Sequence, residues 1–177
     1  MARHAHVLIA GATLTGKSSL AREIARAQYA ARDVGVIVLD PFLTPGWPAD
    51  VMYDQAEDFL VAAKGSWQCA LFIDEASGYV GHYDREMHWC ATQARHLGHR
   101  AHFIVQRPTQ VPPVVRDQCS LWYLFRLSHN TAKTLADDAA MPQVLACAEL
   151  TGHEYLVVDL LTRKTKKMPN RGHPAAR

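Results

Sequence analysis

Eight residues near the N-terminus have the spacing of a phosphate cradle. Gly11-Ala12-Thr13-Leu14-Thr15-Gly16-Lys17-Ser18 matches G-x-x-x-x-G-K-[ST] in full. Gly11 and Gly16 let the backbone curl so that successive N–H groups converge on phosphate oxygens. The helix opening at Lys17, with Ser18 and Ser19 in its first turn, adds the positive end of its dipole. Lys17 places a cation at the β- and γ-phosphates, and the Ser18 hydroxyl suits Mg²⁺. An apolar run precedes the motif and an amphipathic stretch succeeds it, which separates it from a chance glycine turn. A nucleoside triphosphate with Mg²⁺ is the ligand this pattern predicts.

A second set of residues would complete the chemistry. Ala70-Leu-Phe-Ile-Asp74-Glu75 reads as a buried strand ending in two carboxylates, at the edge where open α/β sheets bind ligands. Asp74 is expected in the Mg²⁺ shell, unless it simply caps the strand. Glu75 is placed to take a proton from an attacking water, unless it is a solvated loop acid. Gln106 ends the next apolar run and is expected to reach the γ-phosphate or the water; a plain loop glutamine would read the same.

These residues need a scaffold, and the hydrophobic pattern describes one. Short β-rich runs alternate with amphipathic segments, the pattern of an α/β sheet covered on both faces. Strands are expected at His6–Ala10, Val34–Leu39, Cys69–Ile73, Ala101–Val105 and Leu121–Leu127, with Tyr155–Leu161 and Lys164–Met168 as a closing edge hairpin. The helix after Lys17 should turn Leu20, Ile24, Ala27 and Ala31 inward and Arg22 and Arg26 elsewhere. A loop with Pro41, Pro45, Gly46 and Pro48 separates the second strand from a helix opened by an Asp54–Glu57 capping box. Another helix is expected from about Asp84, burying Met87, Cys90, Ala91, Ala94 and Leu97 and stopped by Gly98. Pro142 suits the first position of a helix.

Composition narrows the class. The chain has 177 residues, 49% hydrophobic and 20% charged, enough for one core and too apolar for a disordered chain. No run of about 18 apolar residues is present and no cleavage-site pattern adjoins the N-terminus, so neither membrane insertion nor a leader is expected. Cys69, Cys90, Cys119 and Cys147 form no C-x-x-C pair, and reduced, partly buried thiols are expected. His96, His99 and His102 recur at threes, but Gly98 separates them, which disfavours a shared metal-binding face. Residues 163–177 carry six basic residues and no acid, against 13 basic and 17 acidic residues elsewhere, so a basic end adjoins a body of net charge −4. Such an end suits either a polyanion or plain solvation.

The phosphate motif, the Asp74-Glu75 strand and the run Phe103-Ile-Val-Gln106-Arg107-Pro108-Thr-Gln-Val-Pro112 together resemble the FtsK–HerA superfamily of DNA-pumping ATPases. Arg116, Cys119 and Trp122-Tyr-Leu-Phe-Arg126-Leu continue the resemblance, which covers residues 5 to about 135. Those proteins carry T-Q-R-P at the end of the fourth strand; Val105 stands in place of Thr here. The small chain is most similar to the compact genome-packaging ATPases of tailless viruses with an internal membrane. The resemblance implies a P-loop three-layer sandwich with a mostly parallel sheet, ordered 5-1-4-3-2 in the numbering of the five expected strands. It implies one ATPase domain over residues 1–177, with a basic, flexible tail from about residue 169. It implies ATP and Mg²⁺ as cofactors, and a homo-oligomeric ring, often a hexamer, around double-stranded DNA. Capsid or portal-vertex proteins would be partners, in the host cytoplasm or at the packaging vertex of the virion.

Rings of this kind use an arginine from one subunit on the phosphates held by the next. Candidates are Arg95, Arg100, Arg107, Arg116 and Arg126, with Arg116 first because the chain turns there toward a neighbour. The catalytic set expected is therefore Glu75, Gln106 and Arg116. A nucleotide-kinase-sized enzyme, a filamentous-phage-type assembly ATPase and a non-hydrolysing assembly factor remain as alternatives. A base for water, as Glu75 would be, argues against the kinase.

Overall fold

Mostly apolar runs of five or six residues, buried along all or nearly all of their length, form the middle of the molecule. The computed structural model describes residues 6–80 and 86–169. Its strands are β1 (His6–Ala10), β2 (Gly35–Leu39), β3 (Val51–Tyr53), β4 (Cys69–Ile73), β5 (Arg100–Val105), β6 (Cys119–Leu124), β7 (Glu154–Asp159) and β8 (Lys164–Pro169). They make an eight-stranded sheet in the order β3-β2-β4-β5-β1-β6-β7-β8. The first six run parallel, and β7 and β8 are antiparallel additions beside β6.

The five strands expected from the hydrophobic runs are β1, β2, β4, β5 and β6. They sit side by side as β6-β1-β5-β4-β2, the order 5-1-4-3-2, and the expected hairpin extends one edge. The sheet is one strand wider at the other edge. Val51–Tyr53 pairs with β2, although the sequence placed it in the proline-rich connection. Three half-buried residues are too few to show alternation.

Both faces of the sheet are covered, so its central strands need no polar side. Val7, Ile9, Val36, Val38, Phe72 and Ile104 pack under helix α1 (Lys17–Ala31). Leu8, Leu71, Ile73, Phe103 and Val105 belong to the larger core, with Phe59 and Leu60 of helix α2 (Ala56–Lys64) and Leu135 further along the chain. Contact along α1 runs through Leu20, Ala21, half-buried Ile24 and Ala25; Ala27 and Ala31 are exposed. The inward stripe is therefore rotated by a residue from the expected one. Arg22 lies half-buried with its guanidinium over the Trp47 ring, 5.4 Å from its centre.

Two local expectations are corrected. Gln55, not Asp54, precedes α2, and it provides no side-chain cap, so the capping box is not made. Glu57 and Asp58 still place acid in the first turn, where the helix dipole favours it. The helix expected from Asp84 begins outside the described residues, and its remainder is broken. Helix α3 (Trp89–Thr92) gives way at Gln93 to a 3-10 turn, Ala94–Leu97, ended by Gly98 at φ 77°. Met87, Cys90, Ala91 and Ala94 are nevertheless buried, and Leu97 is half-buried. Helix α4 (Pro113–Arg116) leads into β6, and helix α5 (His129–Ala139) comes after it. A 3-10 segment, Pro142–Glu149, is opened by Pro142.

Two of the histidines after α3, His99 and His102, serve packing, and His96 is exposed. His99 accepts from the Cys69 N–H at 3.0 Å, and its other ring nitrogen bonds the Ala63 carbonyl at 2.9 Å. His102 stacks on Phe72 with ring centres 4.2 Å apart. Burial keeps His102 neutral, lowering its pKa to about 3, and lowers His6 on the neighbouring strand to about 4. The four cysteines are free and buried, and burial pushes the Cys147 thiol up to about 11. Among the described residues no helix is long and apolar enough to cross a membrane. Of the basic segment, residues 163–169 form the end of the hairpin turn and β8, and residues 170–177 lie outside the described residues.

Candidate nucleotide-binding site

The turn after β1 is held from both neighbouring strands. Gly11 N–H donates to the Val105 carbonyl at 3.3 Å, and Ala12 N–H to the Arg126 carbonyl at 3.3 Å. A Cβ on Gly11 would lie 2.5 Å from Phe125 Cβ, so the close approach requires glycine. Gly16 precedes α1 at φ 103°, a left-handed conformation that favours glycine. No side chain caps α1 and its first turn holds no acid, so no built-in carboxylate competes for its N-terminal N–H groups. Inside the loop the Thr15 hydroxyl donates to the Ala12 carbonyl at 2.7 Å, and Lys17 Nζ to the same oxygen at 3.0 Å. Burial lowers the Lys17 pKa, against the opposing pull of Glu75 and Asp74.

A cavity of about 380 Å³ opens on this loop. Its walls include Thr13, Leu14, Gly16, Lys17, Ser18 and Ser19, together with Glu75 and Gln106 from the ends of β4 and β5. The sheet therefore brings the two halves of the sequence pattern to one place. Gln106 Nε2 donates to Glu75 Oε1 at 3.0 Å, and the Thr13 hydroxyl donates to Gln106 Oε1 at 3.2 Å. One amide thus ties the phosphate loop to the Glu75 carboxylate. Glu75 sits at φ 48°, ψ 39°, a left-handed conformation costing a non-glycine residue about 1–2 kcal/mol.

Asp74 is buried beside it. Its Oδ1 accepts the Glu75 N–H at 2.9 Å. Burial pushes its pKa up to about 6, with Asp40 and Glu75 adding repulsion. Arg22 offsets that shift only in part, and a hard divalent cation would favour the ionised carboxylate further. Asp74 and the Ser18 hydroxyl are the oxygen donors suited to it.

Asp40, the residue after β2, received no role from the sequence. It is fully buried and accepts from Phe42 N–H at 2.9 Å, Thr44 N–H at 3.1 Å and Trp47 Nε1 at 3.1 Å. These bonds hold its pKa low despite burial and shape the loop beyond β2. His153 was also missed. It lines the cavity, and its Nδ1 bonds the Thr15 carbonyl at 3.2 Å. The only hint in the sequence is a Thr-Gly-His-Glu run before an apolar strand.

Arg116 is corrected. Its guanidinium is committed inside the chain, with 7% of the side chain exposed. Nη1 donates to the Val111 carbonyl at 2.6 Å and to the Pro108 carbonyl at 3.3 Å. Nη2 pairs with Asp138 of α5 at 2.6 Å. It fastens the Gln-Arg-Pro loop to a helix and is not presented to a neighbour. Arg116→Ala should accordingly destabilise the fold by about 2–3 kcal/mol, the cost of unpairing charge-assisted bonds. The Asp138 share is small because that side chain is 38% exposed. At about 2–4 °C per kcal/mol for this chain length, melting should fall by about 4–12 °C. Turnover per folded molecule should stay within about tenfold. Unchanged melting with turnover lost would restore Arg116 as a phosphate-directed arginine.

The other candidates divide by position. Arg100 begins β5, at the end of the strand remote from the phosphate loop, and exposed Arg95 lies just before it. Arg107 and Arg126 are exposed on the loop's side of the sheet. Arg107 lines a second cavity of about 530 Å³, which shares Thr13 and Gln106 with the first.

No protein-family model and no curated protein sequence matches this chain. Solved structures do match. The chain is similar to the genome packaging NTPase B204 from Sulfolobus turreted icosahedral virus 2 in complex with ATP-gammaS, at TM-score 0.80 and 19% identity, covering 96% of this chain and 99% of that one. The pCW3 conjugation coupling protein TcpA, also with ATPgS, matches at TM-score 0.65 and 16% identity, covering 93% of this chain and 59% of that one. EccC of Thermomonospora curvata, ATPases 2 and 3, matches at TM-score 0.66 and 11% identity, covering 97% of this chain and 37% of that one. The chain has the α/β fold of these ATPases.

Proposed function

We propose that this chain is an ATP-hydrolysing motor of the FtsK–HerA type that moves double-stranded DNA, in the manner of viral genome packaging. The observation that carries the reading is the cavity in which Lys17, Ser18, Glu75 and Gln106 converge, with Asp74 buried beside Glu75. Similarity along nearly the whole length of a packaging NTPase, at TM-score 0.80 against 0.65 for the coupling protein, supports the packaging role.

Each group has its own part in the chemistry. The Gly11–Ser19 backbone and Lys17 bind and orient the triphosphate. Ser18 and Asp74 would hold Mg²⁺, which when bound neutralises charge between the β- and γ-phosphates. Glu75 accepts a proton from the attacking water. Gln106 holds that carboxylate and, through Thr13, registers the state of the phosphate loop. Arg107 and Arg126 take the place of Arg116 as arginines that approach the phosphates, across a subunit boundary if copies close into a ring. Capsid or portal-vertex proteins are the expected further partners, in the host cytoplasm or at the packaging vertex.

DNA contact falls to a local patch, since the chain outside residues 163–177 carries net −4. Lys164 and Lys166 are exposed on β8 and alternate along it. Phosphate release from ATP should rise with linear double-stranded DNA, and the apparent DNA affinity should fall steeply with salt. Lys164→Gln with Lys166→Gln should reduce the slope of log affinity against log salt by up to about 1.8, at about 0.9 per phosphate contact. No phosphate release under any condition would remove the motor reading. Hydrolysis indifferent to DNA would remove DNA as its cargo, and an unaltered slope would move the DNA contact off β8.

A further inference from the structure

The sheet order sets a direction along the phosphate cavity. Glu75 and Gln106 lie just past β4 and β5, on one side of β1. His153 immediately precedes β7, on the other side. All three line one cavity. A triphosphate whose γ end meets Glu75 and Gln106 must therefore extend its other end across the phosphate loop toward β7. Strand β7 is two strands from β1, about 10 Å away, which leaves room for the phosphates between.

His153 is held there by a built turn. Gly152 takes φ 55° with nothing within 4 Å of a Cβ position, so its glycine serves the backbone and not packing. Glu154 Oε2 accepts from both the N–H and the hydroxyl of Thr151, each at 3.0 Å. The same oxygen pairs with Lys167 of β8 at 2.9 Å. With the turn fixed, the ring reaches the phosphate loop at the Thr15 carbonyl. A carbonyl only accepts, so Nδ1 carries the proton in this bond and a neutral ring keeps Nε2 as an acceptor. An aromatic face and one acceptor, beyond the α-phosphate end of the cradle, are the groups that recognise a nucleoside.

We infer that His153 is the nucleoside contact of this site, taking the base and ribose of the triphosphate while the Gly11–Ser19 loop takes its phosphates. The inference rests on the proposed nucleotide site and adds to it the residue that tells a nucleotide from a bare polyphosphate.

Titration calorimetry with Mg²⁺ and two probes, ATP and inorganic tripolyphosphate, separates the possibilities. Wild type should bind both. His153→Ala should weaken ATP by about 5- to 150-fold, the range for losing a base–aromatic stack, and leave tripolyphosphate within about twofold. His153→Phe should recover most of the ATP affinity. Equal weakening of both probes by His153→Ala would overturn the inference, because the ring would then only prop the loop through Thr15. Unchanged ATP binding would overturn it outright while leaving the phosphate site intact. Wild type binding neither probe would instead remove the nucleotide reading, and this inference with it. His153 is exposed and outside the core, so the melting temperature of both variants should match wild type.

Discussion

Glu75→Gln is expected to keep ATP bound and to slow its hydrolysis by about 10²- to 10⁴-fold, the usual loss when a general base is removed. The substitution preserves size and the ability of this position to accept a bond from the Gln106 amide. It removes the carboxylate's charge and with it the capacity to take a proton. Lys17, Ser18 and Asp74 are untouched, so Mg-dependent ATP affinity should stay within about threefold. Single-turnover phosphate release, measured beside equilibrium binding, distinguishes the two effects. Hydrolysis at the wild-type rate would mean that water is activated by another group, and Asp74 would be the next carboxylate to test.

The second large effect is expected at Lys17. Lys17→Ala should lower both ATP affinity and turnover, with kcat reduced by at least about 10²- to 10³-fold, as when an oriented charge-stabilising donor is removed. The structure explains why no neighbour can substitute. Lys17 is the cation enclosed within the loop, and its Nζ lies on the Ala12 carbonyl at the mouth of the phosphate site. Arg107 and Arg126 are exposed residues outside the loop. The fold should tolerate the change, because Lys17 contributes one backbone hydrogen bond while burial already lowers its pKa. An unaltered melting curve with ATP binding lost is the expected pair of results. Undiminished binding would remove the phosphate-loop reading.

Legibility in the sequence tracked the distance over which each feature is specified. The phosphate loop needs eight consecutive residues; Gly16 takes the left-handed backbone that the motif implied, while Gly11 instead leaves room for Phe125. Strands β1, β2, β4 and β5 were readable because both their faces are buried and nearly every residue is apolar. Their lateral order came from the family resemblance, since nothing within a strand names its neighbour. Strand β3 escaped because three residues carry no period. The Asp84 helix was overextended because burial of Met87, Cys90 and Ala94 at helical spacing does not require an unbroken helix. Arg116 and His153 show the limit most plainly. One is neutralised by Asp138 on a different element, and the other meets Thr15 across 138 positions of sequence. Proximity of that kind exists only after the sheet has formed.

That dependence also sets when the phosphate site can come into being. Strand β1 is bordered by β5 and β6, so that Val7 pairs with His102 on one side and Leu121 on the other. A ribosome adding about 5–20 residues per second needs about 5–20 s to make those neighbours after β1 has emerged. Throughout that interval the apolar His6–Ala10 segment has at most one of its two sheet partners. The Gly11 and Ala12 N–H groups that will anchor the loop await carbonyls at Val105 and Arg126. Contacts of such long range form slowly. Nascent chains halted before β6 should therefore carry the complete phosphate motif without a phosphate site, and depend on chaperones to shield β1 until its second neighbour arrives.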